Sequence, residues 1–79
     1  MQTLYGKVEI IRFGQEDPDN SEWLVNQLAV DGKLAPAFSV HKADWQEYQD
    51  ENSLIQMLTR QSIGLLDEFG DARHARIEL

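Results

Sequence analysis

The chain predicts a small two-layer α+β domain of about three strands with two or three helices, in the order β-α-β-α(-α)-β. Three observations carry that expectation. Residues 3–13 (TLYGKVEIIRF) are rich in β-branched and aromatic side chains, residues 54–69 carry a helical apolar stripe, and residues 73–79 alternate cleanly.

Thr3 to Phe13 reads as the first strand. Leu4, Val8 and Ile10 share one face, and Tyr5, Ile11 and Phe13 share the other with Lys7 and Glu9. A strand covered on both faces over part of its length looks like this. The following GQEDPDNSE is loop and then a helix start, with Asp19 and Glu22 spaced as a capping box. Leu24, Val25, Leu28 and Ala29 gather on one side of a helix running to about Val30, with Gly32 as the residue beyond its end. A rival is a hairpin turned at Asp31-Gly32. Its register would put Leu34, Phe38 and Val40 on the face opposite Leu28 and Val30, and that mismatch favours the helix.

Leu34 to His41 is the second strand, an edge strand or one that starts after Pro36, which has no ladder donor. Asp44 and Glu47 open the next helix as another capping-box pair. From Leu54 the phase is clear: Leu54, Leu65, Leu58, Phe69, Ile55 and Leu66 span a stripe about 120° wide. Carried backward, that phase puts Glu51, Glu47 and Asp44 in the stripe. The helix must therefore break near Asp50–Ser53, where Asn52 or Ser53 caps a new one. Gly70 ends it, and Arg73 to Leu79 is a terminal strand and candidate edge.

Composition excludes whole classes of function. The 79 residues form one domain (1–79), and a chain this short buries only about 60–65% of its unfolded surface. A deep catalytic cavity would take residues from a core with none to spare. With no Cys there is no disulfide scaffold, zinc finger or thiol nucleophile. Apolar runs never exceed three residues and no secretory leader is visible, so the expectation is a cytoplasmic protein. No phosphate loop, nucleophile elbow or zinc or calcium motif appears, so neither an enzyme nor a cofactor is expected.

The net charge of −7 is concentrated. Residues 15–31 hold Glu16, Asp17, Asp19, Glu22 and Asp31 with no cation, and residues 43–59 hold Asp44, Glu47, Asp50 and Glu51, again with none. Such charge repels nucleic acid and anionic membranes, so the expected partner is a larger protein with a basic surface. Asp44, Glu47 and Glu51 at i, i+3 and i+7 would share one helix face, about 5–6 Å apart, near the spacing of phosphates along a nucleic-acid strand. Ordinary solubilising charge and helix N-terminal stabilisation are the plainer account of each row alone. Trp23, Trp45 and Tyr48 lie beside the acids and suit either interface anchors or the rim of a small core.

The leading expectation is a small acidic protein-binding module, an inhibitor or adaptor that mimics nucleic acid. Phage-encoded inhibitors of bacterial defence or transcription share this size and charge. The alternative is a homo-oligomeric structural or small-ligand domain, with a homodimer through strand 73–79. Last comes a small enzyme using His41 and His74, which fall on the polar faces of their strands. Lys33, Lys42, Arg12, Arg73 and Arg76 would have to gather on the free sheet face for direct nucleic-acid binding, which the charge disfavours.

Overall fold

The computed structural model describes residues 1–69, with side chains as far as Asp67. Five antiparallel strands precede two helices. They are β1 (Gln2–Thr3), β2 (Gly6–Asp17), β3 (Asn20–Val30), β4 (Lys33–Leu34), β5 (Phe38–His41), α1 (Lys42–Trp45) and α2 (Glu51–Phe69). The class is α+β, but every described strand pairing is between antiparallel neighbours. The strand expected over 73–79, its homodimer edge, and His74 lie outside the described residues.

The expected first strand is two. Leu4-Tyr5 turns the chain, Thr3 pairs with Gly6, and the Thr3 hydroxyl donates to the Gly6 carbonyl at 2.7 Å. The helix expected over Asp19–Val30 is strand β3. Asp17-Pro18-Asp19-Asn20 carries turn chemistry as well as cap chemistry, and here it closes a hairpin in which Asp17 pairs with Asn20. Asp17 Oδ1 accepts the Asp19 N–H at 2.8 Å, and Asn20 Oδ1 accepts that of Glu22 at 3.1 Å. The Asp19–Glu22 spacing therefore belongs to a turn.

Leu24, Val25, Leu28 and Ala29 read as one helix face because both faces of β3 are buried, and Asn26 adds to the disguise. It interrupts the alternation of Leu24, Leu28 and Val30, yet it is fully buried with them. Its Oδ1 accepts the Gly14 N–H at 2.9 Å, and its Nδ2 donates to the Leu24 carbonyl at 3.0 Å. Gly14 lies at φ +62 in a stretch where the β2–β3 register slips twice, between Ile10 and Arg12 and between Arg12 and Gln15. The amide thus satisfies backbone that the bulged ladder leaves unpaired.

The Asp31-Gly32 hairpin is present, with φ of 51 and 82 at the two turn residues and Val30 opposite Lys33. The face conflict that argued against it is removed by a register step. Ala29 faces Leu34, whereas Asn26 faces Phe38 and Leu24 faces Val40. Continuing the first register would have set Phe38 opposite Val25. The Ala35-Pro36-Ala37 kink absorbs one residue and returns Phe38 and Val40 to the face of Leu28 and Val30. The Ala35 N–H donates to the Leu28 carbonyl at 2.9 Å, and Gln27 Nε2 donates to the Ala35 carbonyl at 3.1 Å, so the kink is hydrogen-bonded on both sides.

Helix α2 covers that face. Val8, Leu28, Val30 and Phe38 from the sheet pack with Leu54, Leu58 and Leu65. Leu58 is fully buried, a side chain worth about 1.5–3 kcal/mol in removed apolar surface. Thr59 and Ser62 are also fully buried and return their hydroxyls to the Ile55 and Leu58 carbonyls, so neither hydroxyl is left unpaired. Leu4 N–H donates to Gln56 Oε1 at 2.9 Å and ties the first turn to the helix. No helix among the described residues is long and apolar enough to cross a membrane.

Candidate functional site

The two acidic runs meet where β5 becomes α1. His41, the last residue of β5, caps α1 through Nδ1, which accepts the Ala43 N–H at 3.1 Å. In the neutral ring that leaves the proton on Nε2, 3.5 Å from Glu22 Oε2. Trp23 sits opposite His41 in the ladder, and the two rings meet edge-on with centroids 5.2 Å apart. Lys42 reaches Glu16 at 2.9 Å. Both pairs are exposed enough that each contributes at most about 1 kcal/mol, so they orient the hairpin end more than they hold it.

Next to this junction lies a cleft of about 340 Å³. Phe38, Ser39, Val40 and His41 form its floor, with Trp23 beside them. One wall is Asp44, Glu47 and Tyr48, and the other is Met57, Arg60 and Gln61 of α2. Asp44 and Glu47 are exposed, so their charges face solvent as well as the cleft. Ser39 is buried, and its hydroxyl has no hydrogen-bond partner among the described residues.

The expected carboxylate row does not form. α1 stops at Trp45, and the chain is not helical again until Glu51, so Asp44, Glu47 and Glu51 share no continuous helix face. The break comes earlier than expected, and neither Asn52 nor Ser53 makes the new cap. Asp50 does: its Oδ1 accepts the Ser53 N–H at 2.7 Å and its Oδ2 the Ser53 hydroxyl at 3.0 Å. The backbone hydrogen bond from Ser53, followed by that from its hydroxyl, holds the Asp50 carboxyl below its ordinary value of 3.8. Glu51 is exposed in the first turn of α2.

Other candidates divide between site and scaffold. Asp44, Glu47, Tyr48 and Trp23 line the cleft, and Glu22 stands next to it on His41. Trp45 belongs to the core rim, where it meets Phe13 edge-on at 5.1 Å and lies against Gly14. Asp17 is occupied in the hairpin turn, and Glu16, Asp17 and Asp19 border a separate depression with Ile11, Arg12 and Val25. Sequence reasoning passed over Met57, Arg60 and Gln61, although their i, i+3, i+4 spacing sets them on one side of α2. Ser39 offered no such signal. Among the described residues, no group of three or more His, Cys, Asp or Glu is placed to hold a metal ion.

Comparison with known protein families, with curated proteins and with solved structures finds no match to this chain.

Proposed function

We propose that the protein is a small acidic binding module that docks a basic surface of a larger partner, as an inhibitor or adaptor does. One observation carries this reading. The fold joins two cation-free runs of sequence at the β5–α1 junction, beside a cleft with Asp44 and Glu47 on its wall and Trp23 and Tyr48 at its border. Exposed carboxylates steer a cationic partner, and half-buried aromatics supply contact area at low entropic cost. A nucleic-acid-binding protein is the partner class that fits, since its groove is built to hold phosphates.

The test is capture from lysate at low and high salt, with each retained protein purified and rebound. A basic protein held at low salt, lost at high salt and bound at least about tenfold more weakly by the Asp44→Lys/Glu47→Lys variant supports the reading. Unchanged affinity in that variant removes it.

A second reading is self-association, favoured by Ile10 and Ile11, 43% and 52% exposed on β2. Sedimentation that does not vary with concentration rules it out.

A further inference from the structure

The cleft floor is four consecutive residues of one strand, Phe38 to His41. Successive strand side chains point to opposite faces, so a cleft that touches all four reaches the strand's edge as well as Trp23 on its neighbour. Among the described residues, β5 pairs only with β3, and its backbone makes no hydrogen bond to any other element. Every second residue of an antiparallel edge strand turns its N–H and C=O away from its one partner, and the cleft borders β5 along all four of its residues. Ser39, in mid-strand, keeps a buried hydroxyl without a partner among the described residues, a residual that calls for an explanation.

We propose that the cleft takes an extended, Lys- or Arg-bearing segment of a partner protein, which adds to the sheet as a strand beside β5. The proposal deepens the acidic-module reading and rests on it. Backbone pairing supplies affinity in this mode, and flanking pockets select side chains. The selecting groups are asymmetric: Asp44 and Glu47 stand on the α1 side, and Arg60 stands on the α2 side. Basic side chains of the incoming strand therefore point toward α1. The floor is four residues long, so the paired stretch spans about 13 Å. Tyr48 and Met57 flank the path as half-buried apolar surface.

The probe is a capped heptapeptide of alternating Lys and Val, together with two versions N-methylated at alternate amides in the two opposite phases. N-methylation removes the donors of one strand edge and leaves the side-chain charges in place. Binding is followed by amide NMR of the full chain. The expected result is perturbation and slowed exchange at Phe38–His41, with one methylated phase binding like the parent and the other at least about tenfold more weakly. The Asp44→Lys/Glu47→Lys variant is expected to lose about tenfold for the parent.

Equal binding by both methylated peptides overturns the strand addition and leaves the acidic module standing on charge alone. No binding of the parent peptide also overturns it, and the module reading is then decided separately by the salt-dependent capture. Concentration-dependent shifts at Phe38–His41 without peptide would assign the edge to a second copy and overturn the proposal as well.

Discussion

Gly14 is the residue at which a single methyl group should be felt most directly in the packing of the fold. It sits at φ +62, where an L side chain costs roughly 1 kcal/mol, and a Cβ there would lie 2.9 Å from Trp45 Cζ2 and 3.2 Å from Cη2. Ordinary carbon contacts are about 3.5–4.0 Å, so the ring or the strand must give. The Trp45 ring is held by its edge-on contact with Phe13. Moving it off its rotamer adds about 0.5–1.5 kcal/mol, and overpacking brings the total for Gly14→Ala to about 2–4 kcal/mol. A chain of this size has about 4–12 kcal/mol to lose, so the variant should fold and be measurable by urea denaturation. The decisive comparison is the same change on a Trp45→Leu background, where no ring remains to be struck. There only the backbone cost of about 1 kcal/mol should remain, a coupling of about 1–3 kcal/mol between the two sites. An equal cost in both backgrounds would refute the steric account. A cost below about 0.5 kcal/mol in the wild-type background would refute the backbone account too.

The other predictions concern polar groups. Asn26→Leu strips the Gly14 N–H and Leu24 carbonyl of their side-chain partners, at about 1–3 kcal/mol for each group left unsatisfied. A fall in Tm of at least about 8 °C is expected, and an unchanged Tm would mean that water satisfies both groups. Asp50→Ala should lower the Tm and the helicity of α2 by circular dichroism, whereas Asp50→Asn, which keeps a capping oxygen, should retain most of both at neutral pH. Because folding lowers the Asp50 carboxyl below 3.8, its contribution is complete above that pH and lost as pH falls through the lower folded value. Asp50→Asn should therefore show less acid sensitivity than the parent between about pH 5 and pH 2, and an identical acid profile would count against the cap.

Legibility in the sequence followed the number of jobs each residue does. α2 was readable because Leu54, Ile55, Leu58 and Leu65 serve only burial, and nothing at their positions competes with the 3.6-residue period. β3 was not, because Asn26 holds an apolar position for the sake of a bulge in the neighbouring strand. That requirement is invisible until Gly14 is placed beside it. The Asp31-Gly32 turn is visible in the sequence, and the face argument against it lacks only the one-residue step at Pro36. Asp44, Glu47, Trp23 and Tyr48, singled out by residue type, line the cleft. Trp45 and Asp50 looked equivalent to them but are used for packing and capping. The spacing of Arg60 with Met57 and Gln61 shows a shared helix side but not what it faces, and Ser39 joins the cleft only through tertiary contact.

The kink at Ala35-Pro36-Ala37 makes the length of that connection a matter of odd and even. Loops ordinarily tolerate added residues, since nothing downstream counts them. Here β5 resumes pairing with β3 directly, so a single inserted or deleted residue would swap the roles of Phe38 and Ser39. It would present a hydroxyl to α2 and an aromatic ring to the other face of the sheet. Two inserted residues would restore the pattern at the cost of a longer kink. Among chains that keep this fold, length variation between Leu34 and Phe38 should come in steps of two.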